Sequence, residues 1–152
     1  MTSTSIFITF YYKCHMDIQI LTLLSPLYYT DADNDPFNYR EGDGEKLYCF
    51  MLNENESSGF EPEKKALFDH LVFSASAVTC AQGEMVKAQT LPEGSYLFAQ
   101  KREILSREEI IDMAIEIQAE GLWRRLKPGK TLYLRYLFED SRSVTQLYRP
   151  FN

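Results

Sequence analysis

The chain predicts an α+β fold, a curved and mostly antiparallel sheet with two helices packed on one face. Three observations carry this. Residues 106–125 join helix-start signals to one apolar stripe. Residues 131–139 alternate apolar and polar side chains ahead of a short polar turn. Ten Tyr and ten Phe in 152 residues supply the large rings that half-buried sheets favour.

In chain order, Ser5 to Tyr12 is rich in Ile, Phe, Thr and Tyr and reads as a strand. Met16 to Leu24 reads as a second strand through Ile18, Ile20 and Thr22, with a helix as the alternative, and Pro26 ends it. Thr30 to Lys46 is a loop. Its Asp31-x-Asp33-x-Asp35 resembles the start of a calcium loop, but Pro36 stands where glycine is needed and Glu41 falls one position early. An acidic turn is the favoured reading. Lys46 to Leu52 is a continuous apolar run, as expected of a buried strand.

A helix is expected from Pro62 to Phe73, since proline at the first helical position sacrifices an amide that would be free anyway. Ala66, Leu67, His70, Leu71 and Phe73 would form its apolar side. Ser74–Ala81 and Glu84–Thr90 flank Gln82-Gly83 and suit a hairpin.

The last 60 residues are the most legible. Residues 94–101 read as a strand after the turn Leu91-Pro92-Glu93. Ser106 and Glu109 stand as Ser-x-x-Glu, a capping box in which each side chain satisfies a free amide at the helix start. Ile110, Ile111, Ala114, Ile117, Gly121 and Leu122 form one face, and Pro128-Gly129 stops the helix. In the strand 131–139, Leu132, Leu134, Tyr136 and Phe138 share the face expected to meet the helix. Tyr133, Arg135, Leu137 and Glu139 share the other. Asp140-Ser141-Arg142 turns the chain into a closing strand, 143–149. The order describes one domain, 1–152. It comprises N-terminal strands and an acidic loop (1–46), a first strand–helix–hairpin unit (47–90) and a second (91–152), a pattern of duplication.

The net charge of −6 argues against general nucleic-acid binding. Three widely spaced cysteines (Cys14, Cys49, Cys80) and two histidines (His15, His70) fit free thiols in a reducing compartment, and their spacing suits no zinc site. Neither a secretory signal nor a membrane-spanning stretch is evident, so a cytoplasmic protein without membrane contact is expected. Nucleotide-binding, metalloprotease and nucleophile-elbow motifs are absent, and no cofactor is expected. Glu108–Asp112 and Glu116–Glu120 lie at i, i+4 on the helix and read as solvated faces.

Two segments carry a family resemblance. Leu91-Pro92-Glu93-Gly94-Ser95-Tyr96-Leu97-Phe98 resembles the Pro-x-Gly-x-Tyr strand of the GyrI-like small-molecule-binding superfamily, the effector-binding domains of bacterial transcription activators. Thr145-Gln146-Leu147-Tyr148-Arg149-Pro150 resembles its closing strand. The resemblance covers about the last 60 residues; the first 90 match only in element order. It implies two strand–helix–strand–strand units around an aromatic cleft. With no helix-turn-helix segment ahead of the domain, it implies a standalone member. Many members carry a Glu in the strand before the final turn that pairs with cationic ligands. Here that strand reads Tyr133-Leu134-Arg135-Tyr136, and the nearest acid is Glu139. Arg135 would instead favour an anionic or carboxylate-bearing ligand.

The face away from the helices is therefore the candidate site: Tyr96, Phe98, Gln100, Tyr133, Arg135, Glu139 and Tyr148, with Gln146 beside them. The expected function is non-catalytic binding of a small organic ligand. The alternative is a structural or interaction protein that dimerises or meets a partner through the same aromatic sheet. A small hydrolase using Glu139 or Tyr148 to assist water is a third, weaker reading.

Overall fold

The computed structural model of the chain describes residues 17–52, 68–77 and 88–152. Eight strands are described: β1 (Gln19–Leu23), β2 (Leu27–Asp31), β3 (Lys46–Leu52), β4 (Phe68–Ala77), β5 (Ala88–Leu91), β6 (Gly94–Lys101), β7 (Thr131–Glu139) and β8 (Arg142–Pro150). One helix, α1 (Arg107–Trp123), lies between β6 and β7. The strands form a single sheet in the order β1-β6-β8-β7-β3-β4-β2-β5, with antiparallel neighbours throughout. The α+β class and the antiparallel sheet are as expected.

The second half follows the sequence closely. Ser106 Oγ accepts from the Glu109 amide at 3.2 Å, and the Ser106 amide donates to Glu109 Oε1 at 3.1 Å, so the capping box is complete. Ser106→Ala should cost about 1 kcal/mol in urea denaturation; an unchanged midpoint would mean that the cap adds nothing. The helix ends before Pro128-Gly129. Arg125 takes a left-handed φ of 60°, and Leu126 N and Arg125 N donate to Gly121 O and Leu122 O at 2.9 and 3.0 Å. This is a Schellman end with arginine where glycine is usual. Asp140 and Ser141 also have positive φ (51° and 64°), the two-residue turn whose twist matches a hairpin.

Faces follow the two-residue period. Leu132, Leu134 and Tyr136 are buried in one core with Leu97, Leu147, Ile110, Met113 and Ile117. Phe138 does not join them. It lies one residue before the turn, beyond the helix, and is 54% exposed. Glu120 departs in the other direction: it is 4% exposed, and Arg124 Nε donates to its Oε2 at 2.5 Å. Arg124 also donates to Ile18 O at 3.0 Å, so the chain entering β1 covers a carboxylate that helical spacing alone places in water.

The first half differs. Residues 68–73 belong to β4, not to a helix, and only one helix occurs among the described residues. The i, i+3, i+4 spacing in Phe-Asp-His-Leu-Val-Phe mimics a helix, but Val72 and Phe73 also favour strand. Pairing with all of β3 decides it. Among the described residues of 47–90, only the strands β3, β4 and β5 occur. β4 and β5 are not hairpin partners either, because β2 lies between them and pairs with both. β2 itself falls partly in the expected loop. The expected strand at 5–12, the helix start at 62–67 and the Gln82-Gly83 turn lie outside the described residues.

The sheet curls on itself like half a barrel. Leu24-Ser25-Pro26 joins β1, at one edge, to β2, next to the other edge; Pro92-Glu93 joins edge strand β5 to β6, beside β1. Links this short force opposite edges together. Leu21, Leu23, Leu27 and Leu91 meet Tyr29, Tyr96 and Tyr148 in a second core on the face away from the helix.

Candidate functional site

Cross-strand register builds the site on that second face. Phe98 lies opposite Tyr148, Tyr148 opposite Tyr133, Tyr133 opposite Cys49 and Cys49 opposite Phe73, which makes a row of four rings and a thiol across five strands. The next row runs Gln100, Gln146, Arg135, Leu47 and Ala75. The pleat thus sets a polar row directly beside an aromatic one.

The rings meet edge to face. Tyr96 lies 5.6 Å from Tyr148 and 6.2 Å from Tyr133 between centroids, and Phe98 lies 5.0 Å from Tyr148. The Tyr96 hydroxyl donates to Pro92 O, which ties the β5–β6 link to the cluster. Cover is uneven along β6: Tyr96 is buried, Phe98 half-buried and Gln100 exposed. The face is therefore closed at the Tyr96 end by β1, β2 and β5 and opens towards Gln100.

Arg135 is the hub of the polar row. Its Nε donates to the Tyr29 hydroxyl at 2.7 Å and to Glu45 Oε2 at 3.2 Å, and Nη2 donates to the same oxygen at 2.9 Å. Nη1 donates to Gln146 Oε1 at 3.2 Å and to the Tyr148 hydroxyl at 3.1 Å. The Tyr148 hydroxyl donates to Gln146 Oε1 at 2.7 Å, and Gln146 Nε2 donates to Gln100 Oε1 at 3.0 Å. β2 and β7 are separated by two strands in the sheet, so the Tyr29–Arg135 contact exists only because the sheet curls.

Glu45 reaches the hub because its loop is pinned. The Tyr39 and Tyr136 rings stack at 4.1 Å, the Tyr39 hydroxyl donates to Gly44 O at 2.7 Å, and the Tyr136 hydroxyl donates to Pro36 O at 2.8 Å. Two of the loop's acids serve as turn acceptors: Asp35 Oδ1 takes the Phe37 amide and Asp43 Oδ2 the Arg40 amide.

Burial governs protonation here. It holds the hydroxyls of Tyr29, Tyr96 and Tyr148 above the usual tyrosine range, and that of Tyr133 at about 12. For Arg135, burial opposes the charge, but Tyr148, Tyr29 and Glu45 outweigh it and hold the pKa above the ordinary arginine value. Burial pushes the Cys49 thiol up to about 11, so this cysteine is a protonated wall residue and not a nucleophile at neutral pH.

Of the seven expected site residues, Tyr96, Phe98, Gln100, Tyr133, Arg135 and Tyr148 share one contiguous cluster. Glu139 lies further along β7, exposed, 3.7 Å from Arg102 and outside the hub's hydrogen bonds. Tyr29 and Glu45 were not expected. Leu27-Tyr-Tyr-Thr-Asp31 does carry a β-leaning signal after Pro26, but nothing in the sequence points its second tyrosine at a residue 106 positions away.

Among the described residues no helix is long and apolar enough to cross a membrane. In comparison with known proteins, the chain matches no protein-family model and no curated protein.

Proposed function

We propose that the protein binds a small organic ligand, without catalysis, at the open end of the aromatic face around Phe98, Gln100, Tyr133 and Arg135. The observation that carries this reading is the Arg135 hub. A desolvated arginine with an ion-pair partner, two phenols and two amides is a costly way to fill a core, and apolar side chains of similar size would do so at least as well. Half-buried rings beside a few convergent polar groups are the usual composition of a ligand site. The resemblance of residues 91–152 to the GyrI-like group supports the same reading.

Thermal shift with small aromatic carboxylates, amides and amines tests it. A ligand at about a hundredfold excess over its Kd should stabilise the fold by about 2.7 kcal/mol and raise Tm by several degrees. Phe98→Ala should remove the shift while the protein still melts cooperatively. No shift from any of the three compound classes would sink the proposal.

A second reading, a self-association surface, draws on a different place. Ile20, Leu24 and Tyr28 are 48%, 90% and 62% exposed around the β1–β2 corner, and β1 pairs only with β6 among the described strands. Sedimentation should then show a dimer that Leu24→Lys dissociates. A wild-type monomer at every concentration rules this reading out.

A further inference from the structure

Glu45 engages Arg135 through one oxygen. Oε2 alone accepts from Nε at 3.2 Å, from Nη2 at 2.9 Å and from the Tyr29 hydroxyl at 2.5 Å. The Nε/Nη2 edge of a guanidinium presents two parallel N–H groups, which match the two oxygens of a single carboxylate. Glu45 shares that edge with the Tyr29 hydroxyl, which accepts from Nε at 2.7 Å. It is also the most releasable member of the hub. Its side chain is 31% exposed against 17% for Arg135, and it directly follows Gly44, whose φ is +85°. Tyr29 and Tyr148, by contrast, are fixed in the second core.

We propose that Glu45 is a resident stand-in for a ligand carboxylate, and that the site takes an aromatic monocarboxylate which displaces it from Arg135. The inference rests on the ligand-binding reading above. With Glu45 in place the hub is electrically balanced, and a second carboxylate would enter without a counter-charge. When Glu45 turns out to solvent, the ligand carboxylate takes its place, accepting from Nη2 and from the Tyr29 hydroxyl, which itself still accepts from Nε. The ligand ring then lies towards Phe98 and Tyr133, two half-buried members of the aromatic row. Neutral compounds gain nothing from the exchange. Glu45 therefore both lowers affinity and selects for charge, because only the fraction of molecules with a vacated arginine is competent to bind.

Calorimetric titration of the wild type and Glu45→Gln with benzoate and benzamide separates the possibilities. Benzoate should bind the variant at least about tenfold more tightly than the wild type, since a charged hydrogen-bond partner is freed. Benzamide affinity should stay within about twofold. In the wild type, the carbon NMR signal of the Glu45 side-chain carboxylate should move when benzoate is added; this readout holds even if the variant folds poorly. Equal benzoate affinity in both proteins, or benzoate binding with an unmoved Glu45 signal, overturns the stand-in and leaves the ligand site. Failure of both proteins to bind either compound removes the site and the inference together.

Discussion

Raising the pH from 10 to about 11 should unfold this protein cooperatively. Tyr29, Tyr48, Tyr96 and Tyr136 are each no more than 2% exposed, and burial raises their pKa well above the ordinary tyrosine value of 10.0. An acid whose pKa is raised by folding contributes full stability below its unfolded value and loses it above. Here the folded state keeps four protons that the unfolded chain releases from about pH 10 upwards. Each such tyrosine costs about 1.4 kcal/mol by pH 11, and four cost about 6 kcal/mol, comparable with the whole stability of many domains. Cys49, raised from 9.0 to about 11, acts in the same direction from a lower pH. One group opposes them. Arg149 is 6% exposed, donates from Nε to Gly129 O at 2.7 Å, and burial lowers its pKa to about 10. Its penalty is relieved as pH rises through that value, but a single cation does not offset four phenols and a thiol. The tyrosinate absorbance of the buried set should then appear together with loss of far-ultraviolet circular dichroism. Smooth ionisation of all tyrosines near pH 10 with the dichroism intact would show that these hydroxyls are not shielded.

Arg135→Met should destabilise the protein by about 3 kcal/mol, the lower end of what breaking a buried ion pair costs. Met keeps much of the side-chain volume, so the loss is electrostatic. It leaves the Glu45 carboxylate without its counter-charge and takes one donor each from the Tyr29 and Tyr148 hydroxyls and the Gln146 carbonyl. The 31% exposure of Glu45 lets water take over part of its solvation, which holds the loss at the low end of the range. Glu45→Met in the same background should recover a large part of it, because the uncompensated charge goes with it. Urea denaturation of the two single variants and the double variant yields the coupling directly. A cost below about 1 kcal/mol for Arg135→Met, or purely additive effects, would reduce the pair to an ordinary surface contact.

The second half of the chain could be read because its signals are local. A capping box acts across three residues, and a two-residue period assigns a strand's faces without reference to its partners. Ser106, Glu109 and the split of Leu132, Leu134 and Tyr136 from Tyr133 and Arg135 are legible on those terms. So are the limits of β3, whose apolar run ends with the strand, and of β7, whose alternation ends at the polar turn. Residues 68–73 fail for the same reason. Their apolar spacing satisfies both periods, and the choice rests with β3, a partner at least sixteen positions away. β2 is a five-residue strand whose place between β4 and β5 depends on two partners remote in sequence. The candidate site divides along this line. Tyr96, Phe98, Gln100, Arg135 and Tyr148 share a face by alternation, so the sequence alone groups them. Tyr29 and Glu45 complete the hub only because two short links draw opposite sheet edges together and a tyrosine stack pins the loop that carries Glu45. Side-chain direction is a property of each strand, whereas sheet order and closure are set by pairing energies summed over distant strands. That is why the sequence determines which residues face the site, and the tertiary structure alone decides that the charge of Arg135 is already met.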